Sequence, residues 1–523
     1  MKKLFILVLS ISILQLSALA QSSAVYSFGD STKSIVGDAG FIDVDGNYVM
    51  MGRRSSIGNH FAKFNANHEL QWSFYIPISM VVQGWRMFQT SNKDYIAIHS
   101  TGFSAYIVRI SSNGNLLWSR TLGQISSMHD GLEWAGDLYF LGAWNDKSIV
   151  TKLDANGNEI WCKKIVTGDA YHRGIAINRD INGDLMLAGF AGTSGSVPAR
   201  ITLAKINTSG QLLSGYTYSD PSLNLLLSDM EISTLGGASF LTGHSYNAIG
   251  AYDINTTEAF VMKIGTNGSV QSAKNFGGNK EDKFTAICQI PGATFSLFVL
   301  SGFSKTPTGA TKLLLSTVDN NGDFIKYSTY GDQHGNGFFF DQINYDLSHG
   351  INVMGTGSGF YVANASEYQF ARFDTSLNLP CKAYNLTLTE SNINLMAATG
   401  NFVISNHSLT YDSSSSNPVI DSITAFNSCT GDSINPTPLS LGEDVVENIK
   451  IFPNPVYGHL TINSGDSRLE SIRILDMQGA VQFEKKNPMA SERIETFAWP
   501  SAIYVLQIKL SSGSIVHRKI VVR

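Results

Sequence analysis

The run Val108-Arg109-Ile110-Ser111-Ser112-Asn113-Gly114-Asn115-Leu116-Leu117-Trp118 decides how this chain folds. Its first part alternates apolar and polar residues, which places one face of a strand against a core. Asn113-Gly114 then supplies the positive φ that a tight hairpin needs, and a second apolar run carries a tryptophan. The same frame occurs at Ala62 to Trp72 and at Thr151 to Trp161. It returns, without the tryptophan, at Ala204 to Leu213, Met262 to Val270, Ser316 to Phe324 and Ala371 to Leu379, and a degenerate copy ends at Ile423-Thr424-Ala425-Phe426-Asn427.

Ahead of each hairpin lies a second half-motif, a strand pair closing on glycine, as in Asp45-Gly46-Asn47-Tyr48-Val49-Met50-Met51-Gly52 and Asn182-Gly183-Asp184-Leu185-Met186-Leu187-Ala188-Gly189. Together the halves give four strands in about 50 residues, the size of one β-propeller blade. A blade cannot cover its own faces, so neighbouring repeats must stack in a ring. The fold class expected is all-β, a β-propeller of eight blades with seven as the alternative, spanning 21–430. The segment Tyr26-Ser27-Phe28-Gly29-Asp30 matches Tyr330-Gly331-Asp332 and Asn275-Phe276-Gly277, which mark outer strands. It is therefore expected to complete the last blade and seal the ring.

Composition agrees. Among 523 residues, Gly is abundant at 48, Pro scarce at 13, and charged residues are 15%, below the typical figure of about 25%. Short strands joined by Gly and Asn turns fit this profile better than amphipathic helices. A net charge of −5 and the absence of a basic stripe exclude nucleic acid as a partner.

Both ends of the chain carry signals. Met1 to Ala20 combines Lys2 and Lys3, an apolar run from Leu4 to Leu16 and Ala18-Leu19-Ala20 before Gln21, the form of a signal peptide (1–20) cleaved between Ala20 and Gln21. Its apolar core is shorter than the roughly 20 residues of a stable membrane span, and no other segment is long enough, so no transmembrane helix is expected in the mature chain. Residues 431–448, with Pro436 and Pro438, form a linker.

From 449 to 523 the pattern is β-rich. It opens with Ile451-Phe452-Pro453-Asn454-Pro455, continues through Ile472-Arg473-Ile474-Leu475-Asp476-Met477-Gln478-Gly479 and Ile503-Tyr504-Val505-Leu506-Gln507-Ile508, and closes on Arg518-Lys519-Ile520-Val521-Val522-Arg523. Pro453 and Pro455 lack backbone donors, so the chain turns there before strands with one buried face begin. This tail resembles the type A C-terminal sorting domain of the type IX (Por) secretion system of Bacteroidetes. Pro453, Asn454, Pro455, Asp476, Gly479 and Tyr504 carry the resemblance, and Ala502 stands where the family usually has glycine. The resemblance implies a small C-terminal β-sandwich, export through the periplasm, the type IX machinery as partner, and a secreted or cell-surface protein whose tail is removed or used for anchoring.

Candidate sites are fewer. Asp43 to Asn47, Asp154 to Asn158, Asp180 to Asp184 and Asp319 to Asp323 space oxygen atoms around a glycine as calcium loops do, yet the repeat already explains each as a hairpin turn, and no cofactor is expected. Trp72, Trp118 and Trp161 recur at one position, which assigns them to packing between blades rather than to a carbohydrate platform. Cys381 and Cys429 hold similar places after repeat units and are candidates for a disulfide, while Cys288 lies in an apolar strand. Ligand-binding residues are expected in the loops at the ring's mouth: Trp85, His129, Asp130, Tyr171, His172, Arg173, Asp282 and His334. No G-x-S-x-G, H-E-x-x-H or Walker A pattern occurs. The sequence thus favours an exported binding or interaction module over an enzyme, with a polysaccharide-acting propeller (glycosidase or lyase-like) and a structural adhesin as alternatives.

Overall fold

The structure is a computed structural model that describes residues 24–427 and 450–522, apart from 30–33, 55–56, 78–82, 194–199, 249–252, 279, 291–296, 331–338, 347–349, 359–365, 374–376, 378–382, 385–387, 413–417, 421–422, 465–467, 477–480, 498, 501 and 512–514. The signal peptide with Ala20 and Gln21, His334, Cys381, Cys429, Gly479 and the 431–448 linker lie outside the described residues. The chain divides into two compact units, Met1–Asn435 and Pro436–Arg523.

Where the repeats lead to eight four-stranded units, the described residues of the first unit form seven antiparallel sheets of five strands. Their inner strands are, in order, Ile35–Ile42, Gln83–Gln89, Ser127–Trp134, Tyr171–Arg179, Leu223–Ile232, Asp282–Ile290 and Phe339–Asp346. We number the sheets 1 to 7 accordingly. Each inner strand contacts the next, and the seventh contacts the first, so the sheets form a closed cycle in a propeller-like arrangement. The closing strand is the one expected: Ala24–Gly29 pairs with Ser366–Phe373 of sheet 7, Phe28 opposite Tyr368.

The missing eighth unit has another use. After sheet 7 the chain runs back around the ring and adds one outermost strand to each sheet in reverse order. Ala383–Tyr384 joins sheet 6, Thr389–Asn392 sheet 5, Met396–Thr399 sheet 4, Val403–Asn406 sheet 3, Thr410–Asp412 sheet 2, Val419–Ile420 sheet 1 and Thr424–Asn427 sheet 7. The segment taken for a degenerate repeat is the end of this belt, on the far side of Ala24–Gly29. Strands of two to four residues hold poorly by hydrogen bonds alone. Between them the belt inserts one apolar anchor after another, Leu388, Ile393, Phe402 and Ile423, each buried in a different core cluster. The belt also occupies sheet edges that would otherwise be open to pairing with other chains.

The recurring turns and tryptophans explain each other. In the turn Asp154–Asn158, the Asp154 carboxylate accepts the N–H groups of Asn156 and Asn158, both at 2.8 Å, while Gly157 takes φ 77°. Asp43, Asp180 and Asp319 act in the same way, so one oxygen of each candidate calcium loop is held by its own turn. Trp72, Trp118 and Trp161 each donate their indole N–H to a carbonyl in the turn of the following sheet, from Ser112, Ala155 and Thr208. The turn glycine lies on the indole face: a Cβ on Gly114 would stand 2.6 Å from Trp72. Gly114 is thus fixed twice, by its φ of 84° and by the ring of the neighbouring sheet. Where tryptophan is lost at Ser214, Tyr216 covers Gly268 from two residues further along the same face. At the seam the contact repeats with Tyr26 against the turn residue His68, ring centroids 3.9 Å apart.

The second unit has strand order Val481–Lys486, Leu469–Leu475, Ala502–Leu510, Ile515–Val522, Lys450–Tyr457, His459–Asn463, Ser491–Glu495. Its core gathers Leu460, Ile462, Ile472, Ile474, Leu506 and Ile520 among others, the inward face of the predicted alternation. Among the described residues no helix is long and apolar enough to cross a membrane.

Candidate functional site

Every inner strand carries a β-bulge at the same place, where the pairing slips by one residue. The extra residues are Asp38, Trp85, His129, Ile175, Ser228, Thr285 and Asp341. Five consecutive ones, from Trp85 to Thr285, line a single cavity of about 290 Å³ at the ring's axis. A bulge re-aims one side chain and releases one backbone group from the ladder, so repeating it around a ring builds a pocket from strands rather than from loops.

The released amides need partners. Asp130, the residue after the bulge in sheet 3, accepts Ile177 N–H of sheet 4 at 2.9 Å, and its other oxygen accepts Gly131 N–H at 2.8 Å. Asp229 does the same from sheet 5, accepting Ile287 N–H of sheet 6 at 3.0 Å and Met230 N–H at 2.8 Å. Gln342 of sheet 7 accepts Gly40 N–H of sheet 1 at 3.2 Å and reaches on to donate to the Met87 carbonyl of sheet 2 at 2.9 Å. Arg86 holds the corresponding place in sheet 2 and pairs with Asp130, Nε to Oδ1 3.3 Å. It lines the axial cavity and also a second one of about 470 Å³ bounded by Phe41, Phe88, Leu132 and Asn344. Its side chain keeps 30% of its accessible surface although it lies deep in the ring, which is consistent with its lining both cavities.

This cluster of ionisable groups is strained electrostatically. Burial pushes Asp229 up to about 6 despite Arg86, and burial with the charge of Asp229 pushes Glu231 up to about 8. Burial likewise raises Asp130, against the pull of Arg86 and two amides. Arg86 is held protonated by Asp130, Asp229 and Glu231 although burial disfavours its charge. His129 is driven down to about 3 by burial and by Arg173, so it is neutral at any physiological pH.

Of the residues expected at the mouth, Trp85, His129, Asp130 and Arg173 come together in the cavity wall. Trp85 and His129 pack edge to face with ring centroids 4.4 Å apart. They sit within strands, at bulges, and not in loops. Tyr171 is buried beneath Arg173, whose guanidinium lies 4.6 Å over its ring. His172 is elsewhere: alternation along the strand turns it away from Arg173 into the core, where Nε2 meets Thr202 Oγ1 at 3.0 Å. Asp282 is also structural, accepting Gly278 N–H at 2.7 Å at the start of its strand. Arg86, Ser228, Asp229, Glu231 and Thr285 were not foreseen. The signal was present in Arg86, Asp229 and Glu231, charged residues inside strands otherwise apolar enough to be core.

The tail residues form a second functional surface. Asn454, between the two prolines, accepts Val521 N–H at 2.9 Å, and so ties the opening motif to the last strand. Val456 pairs in parallel with Val522 beside it. Tyr504 is buried and donates to the Pro500 carbonyl at 2.9 Å, its ring against Trp499. The family described as "Secretion system C-terminal sorting domain" matches residues 450–523. The second unit is that sorting domain. It marks the protein for export by the type IX secretion machinery, through the periplasm, to the cell surface or the medium. Asn454→Ala is expected to remove about 1 kcal/mol from the last strand of the sorting domain. Amide exchange at Val521 should then quicken about fivefold, and the exported fraction of the protein should fall.

No curated protein matches the chain in sequence. Among solved structures, a putative 6-phosphogluconolactonase from Bacteroides fragilis NCTC 9343 aligns with TM-score 0.40 and 10% identity over 73% of this chain and 99% of that one. One from Bacteroides uniformis ATCC 8492 gives 0.38 and 9% over 72% and 100%. Drosophila Plexin A, solved in complex with Semaphorin 1b, gives 0.36 and 8% over 67% and 87%. These are distant likenesses, and the fold described above rests on strand pairing alone.

Proposed function

We propose that the protein is a secreted or surface-displayed seven-bladed β-propeller, spanning residues 21–430, that binds a small ligand in its axial cavity and is delivered by a C-terminal β-sandwich. The observation that supports this most is the convergence of Trp85, His129, Ser228 and Thr285, one from each of four sheets, on one cavity. Trp85 and His129 bring an edge-to-face aromatic pair to the wall and Ser228 and Thr285 bring hydroxyl groups, a mixture suited to a ligand with both polar and apolar faces.

Asp130 and Asp229 both line the cavity, and a pair of carboxylates is how a glycosidase works. Here all four carboxylate oxygens accept main-chain N–H groups, one of each pair from the neighbouring sheet, which favours binding over catalysis. A glycan array probed with the exported protein tests the proposal. Saturable binding that falls roughly tenfold in Trp85→Ala, with partial recovery in Trp85→Phe, is expected; binding indifferent to both changes would remove the cavity from the account.

A further inference from the structure

The axial cavity is lined by two arginines, Arg86 and Arg173, and by two carboxylates, Asp130 and Asp229. The four carboxylate oxygens of Asp130 and Asp229 are each engaged by an amide, and Arg86 adds its charge to them. Arg173 is differently placed. Its partner Asp146 stands 3.8 Å away, with 43% and 49% of the two side chains exposed. An ion pair so open to solvent is weak, and it leaves guanidinium donors able to turn to a ligand in the cavity that Arg173 lines. Trp85 contributes an aromatic side chain to the wall, edge to face with His129. The remaining wall combines the hydroxyl groups of Ser228 and Thr285 with an apolar part formed by Ile175, Phe190 and Leu227.

We infer that the cavity receives a carboxylate carried on a body the size of one sugar ring, such as the uronic acid at the end of an acidic glycan. The carboxylate would lie against Arg173, and the ring against Phe190 and Leu227. The volume, near the lower end for ligand sites, suits one such residue and not an extended chain. Arg173 gives the charge-assisted contact that discriminates, because an acid and its neutral analogue differ most where a cation has no other strong partner. Burial, and after it the field of Arg173, hold the proton affinity of His129 down, and an anion beside it would oppose the second of these.

The inference rests on the axial cavity being a binding site, and the test separates the two. Calorimetry on the exported protein uses three probes: D-glucuronate, D-glucose and cyclohexanecarboxylate. Glucuronate is expected to bind roughly tenfold or more tightly than glucose, to lose that margin in Arg173→Gln, and to raise the His129 titration seen by NMR above its resting value of about 3. Binding of cyclohexanecarboxylate alongside glucuronate also supports the inference and shows that the hydroxyl groups are not read. Glucose binding as well as glucuronate, with loss in Trp85→Phe, would overturn the carboxylate while leaving the binding site standing. Failure of both acids to bind, or a margin unmoved by Arg173→Gln, would overturn the inference outright.

Discussion

Phe28→Ala is expected to destabilise the first unit by about 3–5 kcal/mol, the cost of emptying a well-packed aromatic site. Phe28 is fully buried at the seam, with Phe64 of sheet 1 at 4.6 Å and Tyr48 at 5.8 Å between ring centroids. Its strand is held on both sides, by Ser366–Phe373 and by Thr424–Asn427 at the end of the belt. A ring has no spare faces, so loosening one interface exposes the inner surface of two sheets. The effect should therefore be cooperative, with a lower urea midpoint at an unchanged slope. Val403→Ala, in an exposed belt strand at 59% accessibility, serves as the control and should cost no more than about 0.5 kcal/mol. Equal losses in the two variants would mean that the seam holds the ring no more than its margin does.

The contrast shows which parts of the architecture a sequence can carry. Turn and tryptophan were legible because each is fixed by local chemistry, the positive φ of Gly114 and the alternation that points Trp118 inward. The closing strand was legible because Tyr26 to Asp30 matches outer strands of other sheets, such as Asn275-Phe276-Gly277. The belt was not. Its strands are short, largely exposed and paired with partners far away in sequence, such as Val403 with Val166, so no period survives to be read. Ile423 to Asn427 looked like one more repeat because local pattern tells that a strand exists and never which edge it will meet.

The site divides in the same way. Trp85, His129, Asp130 and Arg173 stood out as polar or aromatic residues near strand starts, but His172 shares that signature and faces the core, since one step along a strand reverses the side chain. Arg86 and Asp229 stand out as charges among apolar neighbours, Met87-Phe88 and Met230, but alternation alone does not say which way they face. Only the bulge, which a single sequence does not announce, turns their positions toward the axis.

Arg86→Met should show how much of the axial cluster is held by that one charge. Removing the cation leaves Asp130, Asp229 and Glu231 without their shared partner, a loss on the order of 3 kcal/mol at pH 8, where these acids, the buried Asp130 and Asp229 among them, would otherwise carry charge. The pH dependence has a definite sign. Asp229 rises from 3.8 to about 6 and Glu231 from 4.5 to about 8 on folding, so both hold protons more tightly in the folded state. Their contribution is intact below about pH 4 and drains away as pH climbs through those folded values. Without Arg86 both carboxyl groups move higher still, and the variant goes on losing stability where the natural protein levels off. The two stability curves should therefore converge below about pH 4, where the acids are neutral and Arg86 has nothing to compensate, and part steadily toward pH 8. Urea midpoints at pH 4, 6 and 8 measure this directly. A deficit that stays constant across that range would assign Arg86 a packing role between the two cavities and take its charge out of the argument.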